Sequence, residues 1–351
     1  MNAQAIYKLR QKLLTARLDS LLVTKRANVA YLSEFTGEAQ LLITQRKKIL
    51  IVDFRFQEQA QREVKTIVLW PRQSFQPLNE SIAQLAKKLK IKRLGFEANS
   101  LSYGSYARLN KQLGLAQLLP VYDLIEPLRA IKTIREIQYL RTAAQMAVKT
   151  FMRAQQLIRP GKKERSIAAE LEYFMCAQGA ESPAFDIIVA SGIRSALPHA
   201  PHSSKIIRKN EAVLVDLGCR ILGYNSDLTR MLFLGKIKDK LKRAYQVVLS
   251  AQQQAIKAVR PGQEIGRIDQ IARQYITQAG LGAFFGHALG HGIGREVHEY
   301  PAVTPRSRAL LKPGMVLTIE PGVYLPGVGG ARVEDMVLVT RHGCEILTRS
   351  R

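Results

Sequence analysis

The chain is poor in what membrane-spanning, disulfide-stapled and acidic proteins depend on. No uninterrupted apolar run approaches the ~20 residues that cross a bilayer as a helix, so no spanning helix is expected. Cysteine is scarce. Cys176, Cys219 and Cys344 stand at scattered spacings that make neither a disulfide framework nor a zinc knuckle. The first residues, "MNAQAIYKLRQKLL", lack the basic-then-apolar order of a signal peptide and read as an amphipathic helix, so a cytoplasmic protein is expected. Aromatic residues make up only 7%, and acidic residues are outnumbered, 28 against 53 Lys and Arg, for a formal charge of +25. That charge raises polyanion binding as a question. Yet the cations are spread through "QRKK", "AKKLKIKR" and "GKIKDKLKR" with no aromatic interleaving and no recognition motif. They read as a solvated basic surface, and nucleic acid is not an expected partner.

What is present is an ordinary globular composition, 46% hydrophobic over 351 residues, enough for two domains. Residues 1–125 alternate helical and strand patterns: a helix near 3–17, strands in "SLLVT", "LLITQ" and "KILIVDF", then "TIVLW", a helix in "NESIAQLAKKLK", the strand "RLGFEA" and a helix from Tyr103. This predicts a small α/β domain. The prolines of "PVYDLIEPLRAIKT" mark a boundary, and a second domain covers residues 126–351.

The second domain contains a repeat. "LIRPGKKERSIAAELEYFMCAQGA" starts at Leu157 and "AVRPGQEIGRIDQIARQYITQAGL" at Ala258, 101 residues later. Each gives a helix end, Arg-Pro-Gly, an amphipathic helix and a stop, followed by strand-rich sequence. An α+β fold with an internal two-fold is expected, its helices backing a curved antiparallel sheet.

Carboxylates interrupt the apolar strands of this domain. "DLGCRILGYNSDLTR" carries Asp216 and Asp227 with Gly218 and Gly223 between them. A hairpin centred on Ile221–Leu222 would make the two aspartates cross-strand partners. Like charges so close need a cation between them. "GHALGHGIGREVHE" adds His287, His291 and His298 among glycines that disfavour a helix. "VLTIEPGVY" places Glu320 at a strand end, and "GGARVEDMVLV" places Glu334 in mid-strand with Arg332 two residues before it on the same side. Oxygen donors with one imidazole suit a pair of Mn²⁺ or Co²⁺ ions better than a structural zinc. Such a pair lowers the pKa of a water and supplies a nucleophile near neutral pH.

Asp216, Asp227, His291, Glu320 and Glu334, with the flanks "SDLTR", "GHGIG", "EPG" and "RVED", resemble the five-ligand set of the pita-bread metallopeptidases. The duplication fits that fold. The preceding domain, of creatinase-like type, and the joining "IKTIREIQYLRTAA" resemble the Xaa-Pro branch, prolidase and aminopeptidase P. The resemblance implies two divalent ions, Mn²⁺ first and Co²⁺ or Zn²⁺ as alternatives, a proline-containing di- or oligopeptide substrate and a homodimer. It implies His199 of "SALPHAPHSS" at the scissile bond and leaving nitrogen, His298 on the scissile carbonyl, and Glu320 as the proton acceptor as well as a ligand. It also implies His287 on the proline side of the pocket, Phe185 on its wall and Arg332 fixing the ligand network. His202 is off-pattern and reads as a surface residue. Arg306, with Arg308 as second candidate, falls where prolidases place an arginine for the substrate carboxylate. A dipeptidase is the favoured reading and an aminopeptidase the next. A methionine aminopeptidase would lack the N-terminal domain, and a non-catalytic binding protein would be expected to have lost ligands. Two positions depart from the pattern: Met231 in "TRM", and Arg295 where the family has leucine.

Overall fold

A computed structural model describes residues 3–73 and 75–349. They fall into two compact units, Met1–Arg129 and Ala130–Arg351.

The first unit is built on a six-stranded mixed sheet. At its centre Gln40–Thr44 runs antiparallel between Ser20–Val23 and Lys48–Val52, and strands that pair parallel with those two flank them on both sides. These strands carry near-continuous apolar runs because both faces are covered. Leu21, Leu41, Ile43 and Leu50 enter one core, while Leu22, Leu42, Ile49 and Ile51 enter the other. The period-two alternation of a strand sorts them. The short helix Arg26–Ser33 escapes the sequence patterns. The two residues that lead into it are held by Glu97, whose carboxylate accepts from the Thr24 and Lys25 backbone N–H groups at 2.6 and 2.8 Å. A helix entry fixed from 72 and 73 residues away leaves no local signature.

The second unit opens with the helix Ile134–Leu157, started by a capping box in which Thr133 and Glu136 satisfy each other's backbone N–H groups. Its strand pairings are all antiparallel among the described residues. The internal duplication is structural. The helices Glu164–Ala177 and Ile265–Gln278 keep the 101-residue offset at both ends. Each is entered through a glycine at positive φ, Gly161 (93°) and Gly262 (80°), where an L side chain would be strained. The N–H of each of these glycines donates at 2.9 Å to a distant strand-like segment, at Ile207 and Leu311. The expected fold, two-fold and antiparallel with backing helices, is the one observed.

Two local expectations need correction. Strand Ala212–Leu217 pairs with Leu228–Phe233 in a register that sets Asp216 opposite Thr229, not opposite Asp227. The turn is centred one residue later, at Leu222–Gly223, because Ile221 pairs with Tyr224. Leu222 and Gly223 both take positive φ, 51° and 73°, as a two-residue hairpin turn demands. Continued across the break, the same register brings Asp227 beside Gly218, two positions along from Asp216. The other correction concerns Glu334. It lies in the gap between strands Gly329–Arg332 and Asp335–Val339 rather than within one.

Candidate metal centre

The strands converge on a buried acidic cluster. Asp216 sits near the end of its strand, Asp227 just before Leu228–Phe233, His291 within Gly290–Gly292, Glu320 just after Val316–Ile319, and Glu334 just before Asp335–Val339. Strand ends carry these groups because the ladder stops there and the side chains are released from sheet packing. One ligand atom each from Asp227, His291 and Glu334 lie within 4.8 Å of one another. The His291 Nε2 is 3.2 Å from Glu320 Oε1 and 3.6 Å from Asp227 Oδ2.

A hydrogen-bond frame holds the cluster. Arg332 donates to Asp216 Oδ2 at 2.5 Å, to Thr229 Oγ1 at 3.2 Å, to the Tyr324 hydroxyl at 2.7 Å and to the Pro198 carbonyl at 3.1 Å. Thr229 donates in turn to Glu334 Oε2 at 2.7 Å, and Thr318 to Glu320 Oε1 at 3.1 Å. Thr229, Thr318 and Tyr324 are site residues that the sequence reading passed over. They stood inside "SDLTR" and "VLTIEPGVY", but a hydroxyl among carboxylates carries no signal until the partners are known.

The frame leaves a deficit. Asp216 Oδ1 and Glu334 Oε1 are buried and accept no hydrogen bond. Buried carboxylate oxygens without donors cost several kcal/mol unless a charge compensates them. Burial, and then the neighbouring carboxylates Glu334, Asp216 and Glu320, push Asp227 well above the usual carboxylate range. Burial with Glu320 and Asp216 does the same to Glu334. Burial also raises Asp216, against the pull of Arg332. Burial lifts Glu320 too, but its bond to His291 and the charges of His291, Arg332 and His287 leave it below the ordinary value. One arginine does not neutralise four buried carboxylates. The donor set, oxygen-rich with a single imidazole, fits divalent cations of the Mn²⁺ or Co²⁺ type.

The remaining expected residues divide. His298 is exposed with its ring 4.2 Å from that of His291, centroid to centroid. Burial, then the nearby charges of His291 and His199, lower its pKa, while Glu320 opposes them. His199 is exposed on the loop after Ile188–Ser191. His287 bonds the Tyr324 hydroxyl at 3.1 Å, which links it to Arg332. Phe185 packs beside Gly218, where an added Cβ would lie 2.8 Å from its ring. With His202 it also lines a cavity of about 210 Å³. Arg306 is exposed, and no described contact joins it to the cluster. Arg308 pairs with Glu264 at 3.1 Å, at the N-terminus of Ile265–Gln278. Arg295, the departure from pattern, lies with its guanidinium 4.8 Å from the centroid of the Tyr224 ring, which makes it a packing residue.

The backbone beneath His291 has no spare room. A Cβ on Gly290 would stand 2.0 Å from the Thr318 carbonyl oxygen. Gly290→Ala is therefore expected to force the strands bearing His291 and Glu320 apart, lowering both metal content and melting temperature. Parallel metal analysis and calorimetry check this, and normal values for both would refute it.

Comparison with known proteins adds the lineage. The model of metallopeptidase family M24 matches residues 138–341, and that of the creatinase/prolidase N-terminal domain matches residues 6–131. An Xaa-Pro dipeptidase of Pyrococcus horikoshii is 41% identical over 335 residues, 95% of this chain and 93% of its own. The solved structure of the Xaa-Pro dipeptidase from Bacillus anthracis superposes with a TM-score of 0.95 at 41% identity, covering 99% of this chain and 98% of that one. The X-Pro aminopeptidase from Thermotoga maritima superposes at 0.87 with 36% identity, covering 95% and 96%.

Proposed function

The chain belongs to metallopeptidase family M24, and from that premise we propose that it hydrolyses the bond before proline in peptides with a free N-terminus, acting as an Xaa-Pro dipeptidase. The observation that carries the proposal is the converging set of carboxylates with unpaired buried oxygens, in a chain similar along 95% of its length to a protein named Xaa-Pro dipeptidase. Asp216, Asp227, His291, Glu320 and Glu334 would hold two divalent ions, Mn²⁺ in the first place and Co²⁺ or Zn²⁺ as alternatives. Those ions supply Lewis acidity and a water ionised near neutral pH.

The chain's own residues do the rest. Glu320, kept ionised by His291 and Arg332, accepts the proton of the attacking water and passes it on. His298, exposed beside His291, donates to the developing oxyanion. His199 stands at the leaving nitrogen. The free amine of the substrate lies against the buried carboxylates, which restricts cleavage to the first bond. Proline accounts for a dedicated enzyme, since its nitrogen offers no N–H for main-chain recognition and its ring fixes φ. Phe185 and His287 are assigned to the walls that receive that ring. We assign the protein to the cytoplasm, consistent with three free cysteines, and to a homodimer. No helix of the described chain is long and apolar enough to cross a membrane.

A dipeptide carries its carboxylate one residue beyond the cleaved bond, and a fixed arginine is the fitting partner. Arg306 is assigned to it. Losing a charge-assisted bond costs ~1.5–3 kcal/mol, about 10- to 150-fold in kcat/KM on Ala-Pro. Ala-Pro-Ala, whose carboxylate lies further out, suffers less. The wild type should prefer the dipeptide, and Arg306→Ala should narrow or reverse that preference. The exposed position of Arg306 and the likeness to an X-Pro aminopeptidase favour one second reading, an aminopeptidase acting on longer peptides. A wild type that cleaves the tripeptide at least as well, with a mutant slowed equally on both, would establish it.

A further inference from the structure

The loop that carries His199 has almost no backbone structure of its own. Residues 197–205 form no helix or strand, and His199 stands at the surface between Pro198 and Pro201. Prolines cannot donate a backbone hydrogen bond, so the segment is not held through its own N–H groups there. Its far end is anchored by the backbone, where the Arg165 and Glu164 N–H groups donate to the Ser203 and Lys205 carbonyls at 2.9 and 3.0 Å. On either side of His199, however, two arginines hold the proline carbonyls. Arg332 donates to the Pro198 carbonyl at 3.1 Å, and Arg194 donates to the Pro201 carbonyl at 2.6 Å.

Each arginine is itself fixed by a buried carboxylate. Arg332 is tied to Asp216 at 2.5 Å, within the acidic cluster. Arg194 is tied through its Nε to Glu164 Oε2 at 2.9 Å. Glu164 is 1% exposed, and its other oxygen accepts from the Ser191 backbone N–H and from the Ser191 hydroxyl, both at 2.7 Å. Glu164 opens the helix Glu164–Ala177, so the second arm runs from a rigid helix start, through a buried carboxylate and a guanidinium, to the loop. A guanidinium is suited to this because it donates in two directions from one plane, which an ammonium cannot reproduce.

We infer that Arg194, seated on Glu164, is a positioning residue that sets His199 over the site as the second arm of a two-arginine bracket whose first arm is Arg332. The inference rests on the role given to His199 above. The Arg194 arm does not touch the acidic cluster, so it should govern the alignment of His199 without governing metal occupancy. A misplacement of about 1 Å at such a group is worth up to ~100-fold in turnover.

Arg194→Lys is the informative variant, because it keeps a cation against buried Glu164 and removes the reach to the Pro201 carbonyl. On Ala-Pro with Mn²⁺, kcat should fall by roughly tenfold or more while KM stays within about twofold. Metal content and melting temperature should stay at wild-type values. In a His199→Ala background the same change should add nothing, since both act through one imidazole. Hydrogen exchange of residues 197–205 should rise in Arg194→Lys and stay unchanged in His199→Ala. Losses that multiply in the double variant, or metal lost from Arg194→Lys, would overturn the positioning role. Unchanged exchange would overturn the bracket itself. Full activity of His199→Ala would instead remove the role of His199, and with it the catalytic meaning of Arg194, leaving the exchange result to stand on its own.

Discussion

Removal of divalent metal by a chelator is expected to abolish Ala-Pro hydrolysis, by more than ~10³-fold, and added Mn²⁺ or Co²⁺ to restore it. The expectation comes from charge. Asp216, Asp227, Glu320 and Glu334 are gathered with one arginine among them, and two of their oxygens are buried without a donor. Without a cation the cluster relieves itself by taking protons, as the raised Asp216, Asp227 and Glu334 indicate. A protonated carboxyl is a poor ligand, so loading should weaken as pH falls. Metal analysis of the dialysed protein, alongside the assay, decides the matter. Undiminished turnover in a rigorously metal-free preparation would end the peptidase mechanism.

Asp227→Asn should have the next largest effect. Loss of a second-sphere partner costs 10–100-fold in metal affinity or activity, so loss of a direct ligand should cost at least ~100-fold in turnover, with metal stoichiometry falling alongside. The fold should survive, because what is removed is one of several mutually repelling charges. The sign can be followed with pH. Asp227 has a folded pKa raised above its unfolded value, so the folded state binds the extra proton, and stability falls as pH rises from the ordinary carboxylate range near ~4 toward the raised value. In metal-free protein the variant is exempt from that loss. The metal-free Asp227→Asn protein should therefore melt no lower than metal-free wild type, by a margin that widens toward neutral pH. Unchanged metal stoichiometry, or a variant that unfolds, would count against the assignment.

Some of this was legible in the sequence because it is local or periodic. Repeated Arg-Pro-Gly turns with a fixed offset announced the duplication, since a helix entry needing positive φ writes glycine into the chain. Carboxylates at the ends of apolar strands announced a cation site, since burial of such groups is too costly to be incidental. Glycines around His291 excluded a helix, and a strand is what they allow.

Other features were decided only by the tertiary structure, because they depend on contacts between residues far apart in the chain. The hairpin register turned on a single residue: Asp216 faces Thr229 because Leu222 and Gly223, not Ile221 and Leu222, take the left-handed turn. The entry to the helix Arg26–Ser33 is held by Glu97 through the Thr24 and Lys25 N–H groups, and no pattern within its own eight residues foretells that. Thr229 became a site residue only when folding set it between Arg332 and Glu334. Arg194 reads as one more surface cation in a chain of net charge +25, until Glu164 and the Pro201 carbonyl are found on either side of its guanidinium. Residue type and spacing determine which groups are available, but a hydrogen bond is a matter of a few tenths of an ångström, and only the packed chain sets that.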